Sequence, residues 1–316
     1  MRDDHQGAAR RRTALAALLL VTVIWGATFS WMKQALGAAE ARLGPGCAFA
    51  ASSLFLTLRF GVSALLLPVL VREARPLAGF TGSLFRNAGL LGALFLAGFL
   101  IQMTALDELT PAVSAFLTSL YVIFTAFLSL FSARHRRISR PLLVGVVLAT
   151  LGAAFISGPP QLEFDLAEWM TVGSAFLFAF TILVTDHATR IHAPAQVSLV
   201  SFTVVALGSG ALLGQALSGP SAPAPSELLA LLGDRAFLVP LLLCSLLATL
   251  FALTLLNHHQ RFVSPVRAAT LYSLEPVWAA VISLLLGAEV ANPWLLGGAS
   301  ALLAGNMIAE FGGKRP

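Results

Sequence analysis

Long apolar runs separated by short polar breaks occupy the chain from about residue 14 to about residue 311. They fall at roughly 14–36, 51–71, 86–107, 110–131, 140–157, 166–187, 194–217, 236–258, 264–287 and 292–311, and none alternates with period two. About 20 apolar residues cross ~30 Å of hydrocarbon as a helix, and only helices or closed barrels satisfy their backbone groups there. The lack of alternation excludes the barrel. The pattern therefore predicts an all-α integral membrane protein with ten transmembrane helices. The longest break, 219–235, is rich in Pro, Ser and Ala and is expected to start a small surface helix at Ser226-Glu227. The basic head before the first run imitates a secretory signal. Trp25, Trp31 and Lys33 stand where a small-residue cleavage site would follow, so a retained first helix is expected.

The pattern is also written twice. Thr110-Pro111-Ala112-Val113-Ser114-Ala115-Phe116-Leu117-Thr118-Ser119-Leu120 recurs as Ser264-Pro265-Val266-Arg267-Ala268-Ala269-Thr270-Leu271-Tyr272-Ser273-Leu274, at a constant offset of 154. After a two-residue slip, Pro141, Leu143 and Gly145 match Pro293, Leu295 and Gly297. This divides the chain into a head at 1–13, repeats at 14–158 and 159–312, and a tail at 313–316. Five spans per repeat is an odd number, so the two repeats must face opposite ways. That arrangement underlies alternating access in secondary transporters.

Composition sharpens the class. Hydrophobic residues make up 57% of the chain, charged residues 11%, and the mean hydropathy is +0.84, so no ordinary solvated surface can form. With the N-terminus placed in the cytoplasm, 16 of the 20 Lys and Arg residues fall on the cytoplasmic side. The asymmetry predicts both termini inside and accounts for the net charge of +5 without nucleic acid. Cys47 and Cys244 are distant and read as packing residues.

Ile24-Trp25-Gly26-Ala27-Thr28-Phe29, Leu58-Arg59-Phe60, Ser273-Leu274-Glu275-Pro276-Val277-Trp278-Ala279-Ala280 and Leu286-Gly287-Ala288-Glu289, in this order and before a Gly-rich last span, resemble the EamA-like members of the drug/metabolite transporter superfamily. The resemblance covers about the whole chain. It implies a secondary transporter of the cytoplasmic membrane, often an exporter of amino acids or other small metabolites. The first repeat departs from the pattern, because Tyr121-Val122 stands where the second has Glu275-Pro276.

Glu275 is the one carboxylate deep in a predicted span. Ser264-Pro265 reads as an N-cap and first helical residue, which puts Glu275 ~16 Å from the inner face. Pro276 deprives the Tyr272 carbonyl of its helical partner and loosens the helix beside the acid. Arg59, ~12 Å in from the outer face, falls at nearly the same depth. Each reading stays open for these charges: an ion pair joining the repeats, contacts to a substrate amine and carboxylate, or, for Glu275, proton uptake. Trp25, Thr28, Tyr121, Tyr272 and Ser273 are candidate pathway residues beside them. Gln102, Thr118, Asn257 and Asn306 are further intramembrane polar groups, for which bonding between helices is the plainer expectation. Lys33 is expected to snorkel or to face an outer vestibule. Gly145, Ala149 and Ala153 recur as Gly297, Ala301 and Gly305, small residues at helical spacing that predict close packing, within the chain or across a homodimer.

His187, His192 and His258-His259 lack the spacing of a metal cluster, and no Walker loop, paired carboxylates or Gly-x-Ser-x-Gly site is present. No metal, cofactor or enzyme activity is expected. The expected partners are a small-molecule substrate and the lipid bilayer. The reading is a gradient-driven efflux transporter of the cell inner membrane; a lipid scramblase or sealed scaffold is the alternative from another class.

Overall fold

The computed structural model of the chain describes residues 2–75, 79–131, 139–156, 159, 164–219, 222–285 and 293–311. The basic residues Arg134, Arg136 and Arg137, the Leu286–Glu289 motif and the tail with Lys314 and Arg315 lie outside them. All regular structure among the described residues is helical: α1 Arg2–Leu43, α2 Ala48–Leu70, α3 Gly82–Leu106, α4 Pro111–Ser119, α5 Tyr121–Ser129, α6 Arg140–Ile156, α7 Leu166–Ile191, α8 Pro194–Ala216, α9 Pro225–Leu232, α10 Arg235–Leu243, α11 Ala252–His259, α12 Pro265–Tyr272, α13 Glu275–Leu285 and α14 Pro293–Phe311, with short 3₁₀ turns and a π-helical segment between α10 and α11. Helix α9 is the expected surface helix, started by Pro225 with Glu227 bonded back to the Ala224 amide.

Among the described residues, eight helical rods are long and apolar enough to cross a membrane; α4–α5, α10–α11 and α12–α13 each count as one. The sequence predicts ten. The other two, α6 and α14, contribute shorter apolar stretches, Arg140–Gly152 and Leu296–Ile308. The first rod outruns its apolar core at both ends, because polar residues continue the helix once hydrocarbon no longer decides the pattern.

The packing respects the duplication. Rods that correspond in the two repeats lie together: α2 against α8, α4–α5 against α12–α13, and α6 against α14. The pair α3 with α7 is mirrored by the pair of α10–α11 with α1. Corresponding rods run in opposite directions. Gly305 abuts Gly145 and Ala149, while Gly152, further along α6, abuts Gly298, Ala301 and Leu302, earlier along α14. Likewise α4 touches α13, and α5 touches α12.

The small-residue stripes thus pack within the chain, where a Cβ at Gly305 would stand 2.5 Å from the Ala149 amide. Without a hydrophobic drive between helices in lipid, such close backbone approach is what holds them. Gly297 of the same stripe faces open space, and the side chain of Ala153 is outside those described.

Both central rods break at the same register, although only the second has a proline there, Pro276. Leu120 donates to the Leu117 carbonyl and Leu274 to the Leu271 carbonyl, tightening each helix to i−3. Just before each break a repeated serine captures a carbonyl of its own helix, Ser119 from Phe116 and Ser273 from Thr270, both at 2.7 Å. A hydroxyl that competes for a backbone carbonyl bends a helix. The same serine bond thus accompanies the break in both rods, including the one where Tyr121-Val122 stands.

Replacing Gly152 or Gly305 by Val should destabilise the α6–α14 seam by about 1–3 kcal/mol, as overpacking does. Gly297→Val should leave stability nearly unchanged. Thermal melts of the detergent-solubilised variants check this ordering.

Candidate functional site

A cavity of about 600 Å³, including its mouth, opens between the two repeats. Of the residues singled out from the sequence, it gathers Trp25, Thr28, Arg59, Gln102, Thr118, Tyr121, Tyr272 and Glu275 in its wall. Ser273 is not among them; its hydroxyl is spent on the helix break.

Glu275 opens α13, where the partial positive charge of a helix start favours a carboxylate. Its carboxylate accepts a hydrogen bond from the Tyr121 hydroxyl, at 3.3 Å. Tyr121 opens α5, and the two residues stand at corresponding positions of the repeats. The acid is held close against the first rod by Gly26. A Cβ there would meet Trp278 Cβ at 2.5 Å and the Glu275 carbonyl at 3.0 Å. One turn earlier, Thr22 accepts from the Trp278 indole at 3.0 Å. The Trp25-Gly26 motif therefore serves packing at Gly26 and lines the cavity at Trp25.

Arg59 is nearly fully buried in α2. Its Nε donates to the Thr249 hydroxyl at 2.6 Å, and its Nη1 approaches the Met32 sulfur at 3.6 Å. The guanidinium lies 4.9 Å from the Phe99 ring centre and 5.4 Å from that of Phe60, a cation–π setting that partly replaces lost hydration. Arg59 and Glu275 share the cavity wall, and among the described residues no ion pair joins them. Among the described residues neither group has an ion-pair partner.

Thr249 belongs to the π-helical segment Cys244–Phe251, which follows Pro240. There the carbonyl of Ala248 accepts from the Trp25 indole at 3.1 Å, and that of Ser245 accepts from Ser63 at 2.8 Å. A widened helical turn turns carbonyls outward. Here they fix an aromatic wall of the cavity and the helix that carries Arg59. Trp25 in turn meets Tyr272 edge-on, with ring centres 5.7 Å apart. Lys33 lies away from this wall and caps the end of α3 through the carbonyls of Leu106 and Asp107.

Phe95, Phe99, Phe178, Thr181, Thr185 and Gln260 also line the cavity, beside Phe29, and the sequence reading passed over all six. A signal existed for two of them: Thr181 follows Phe178 at the spacing by which Thr28 follows Trp25, and both pairs lie 153 residues apart. Each threonine also donates to the carbonyl three residues back. Gln260 has no polar counterpart, since the offset of 154 carries Leu106 to it and carries Gln102 to Leu256, itself in the cavity wall.

The sequence model described as the EamA-like transporter family matches residues 12–158 and again residues 165–309. An uncharacterized transporter of Archaeoglobus fulgidus is 28% identical over 312 residues, covering 97% of this chain and 90% of its own length. One protein solved by crystallography is similar in fold, with a TM-score of 0.64, 17% identity, and coverage of 95% of this chain and 96% of its own.

In a double-mutant cycle, Tyr121→Phe and Glu275→Gln should couple by at least ~0.5 kcal/mol, while Arg59→Gln and Glu275→Gln should add within about that margin. Unfolding stability of the purified variants measures both. Coupling confined to the arginine pair would contradict the geometry.

Proposed function

We infer that this chain, which belongs to the EamA-like transporter family and is a multi-pass membrane transporter, moves a small polar or amphipathic metabolite by alternating access. An amino acid or related solute fits the lining best. The observation that carries this is the cavity between the repeats, in which a buried carboxylate and a buried guanidinium are present without cancelling each other. An isolated intramembrane charge is costly, and such residues mark substrate and ion pathways. Glu275 is suited to a substrate ammonium or a proton, Arg59 to a carboxylate, and Trp25, Tyr272, Phe95, Phe99 and Phe178 to an apolar side chain.

The ten-span, inverted arrangement is part of the same reading. It takes α6 and α14 as the fifth and tenth spans, and it is supported by the opposite run of corresponding rods. The distribution of Lys and Arg supports both termini in the cytoplasm. Export across the inner membrane follows the family resemblance, and an ion gradient would supply the energy.

The test is flux of a mixed amino-acid and metabolite pool from proteoliposomes, with and without an imposed pH gradient, beside Glu275→Gln. One solute class should leave in a gradient-dependent way. The variant should lose at least about tenfold in rate, as expected on removing a hydrogen-bonded charge. Gradient-independent flux that survives Glu275→Gln would remove the carboxylate from coupling. Absence of flux would turn attention to the scaffold.

A further inference from the structure

Phe95, Gly98, Phe99 and Gln102 share one face of α3, at spacings of three and four residues. Phe95, Phe99 and Gln102 line the cavity, but Gly98 between them does not. The edge of the Phe178 ring, contributed by the other repeat, covers it. A Cβ at Gly98 would stand 2.9 Å from Cε1 of that ring, 3.2 Å from Cζ and 3.3 Å from Cδ1. Phe178 is itself part of the cavity wall and meets Phe99 edge-on, with ring centres 5.0 Å apart. The glycine thus gives the ring a seat against α3, in the place that a side chain of α3 would otherwise take.

The corresponding wall is built differently. Trp25 stands 153 residues before Phe178, and Ala252 stands 154 residues after Gly98. Trp25 is anchored through polar groups. Its indole donates to the Ala248 carbonyl at 3.1 Å, and its ring meets Tyr272, whose hydroxyl donates to Gln260 at 3.0 Å. A phenyl ring has no such anchor, so packing alone sets the position of Phe178. Carbon atoms rest at ~3.5–4.0 Å from one another, so a methyl group at position 98 would displace the ring edge by about 0.5–1 Å. The face that carries Gly98 is the one that α3 presents to the cavity, so the displacement is into it. One aromatic wall is therefore fixed by hydrogen bonds, and the other is set by the absence of a methyl group.

We propose that Gly98 and Phe178 set the size of the apolar group that the cavity admits, Phe178 as the wall that yields and Gly98 as the seat that holds it back. This rests on the reading of the cavity as a solute pathway and adds the contact that selects among solutes. Glu275 and Arg59 are suited to charged groups that all amino acids share; the Phe178 wall reads the bulk of the side chain.

The experiment uses the purified full chain, with Cys47→Ser and Cys244→Ala as background and Thr28→Cys as a reporter in the cavity wall. Labelling rates with N-ethylmaleimide and with the bulkier N-benzylmaleimide are compared as a ratio, so that a common change in access cancels. Gly98→Ala should lower the bulky-to-small ratio about tenfold, the scale on which an apolar pocket discriminates one methylene. Phe178→Leu, which cuts the wall back, should raise the ratio by itself and restore it when combined with Gly98→Ala. Because it acts in the opposite direction, it decides the matter even where Gly98→Ala folds poorly. A ratio unchanged by Phe178→Leu, a loss in Gly98→Ala that Phe178→Leu does not restore, or a parent that neither reagent labels would overturn the proposal. The same variants in proteoliposomes are offered alanine, leucine and tryptophan, and Gly98→Ala should slow tryptophan relative to alanine. Labelling ratios that shift as expected while none of the three amino acids moves would uphold the wall and overturn the solute reading instead.

Discussion

The hydrogen bond from Tyr121 to Glu275 joins the first residue after the break in one repeat to the corresponding residue of the other. Both central rods break at that register, so the bond joins the first residue of α5 to the first residue of α13. A carboxylate in hydrocarbon demands such a partner, since unsatisfied buried charge is among the least tolerable features of a membrane interior. The rest of the site is arranged around this contact. Gly26 removes the Cβ that would push α1 off α13, Thr22 holds Trp278, and Trp25 is left free to face the cavity.

The opposite charge is accommodated by a different device. Arg59 has no carboxylate to lean on among the described residues. It is fixed by one hydroxyl of the π-helical segment, a sulfur and two phenyl faces. The wide turn supplies that hydroxyl, and its displaced carbonyls hold Trp25 and Ser63. The local cost of an irregular helix is thus offset where backbone groups are turned toward side chains of neighbouring rods, and the same irregularity shapes the cavity.

Duplication alone does not make the cavity symmetric. Thr118 corresponds to Tyr272, Tyr121 to Glu275 and Trp25 to Phe178, so these positions offer different chemistry in the two repeats, while Thr28 and Thr181 are alike. The scaffold obeys a stricter rule. The repeated serines at 119 and 273 make the same bond before the same break, and small residues of α6 and α14 interlock in both directions. The serines before the break have kept the repeat, while most of the matched cavity positions have diverged.

From sequence, the apolar runs specify spanning helices, because hydrocarbon leaves the backbone no other solution. The 154-residue offset specifies two repeats, and Glu275 and Arg59 stand out because charge is rare in such runs. Ser273 shows the limit of that reasoning: its polar side chain suggested a pathway residue, yet it bonds its own helix. Gln260 shows the converse, a lining residue at a rod end whose counterpart in the first repeat is the apolar Leu106. Which polar groups meet, and whether two charges at one depth pair or stay apart, depends on helix rotation and on close contacts such as that at Gly26. Those are set by packing between rods distant in sequence. Hydropathy reports a residue's depth; only the assembled bundle decides which neighbour it faces.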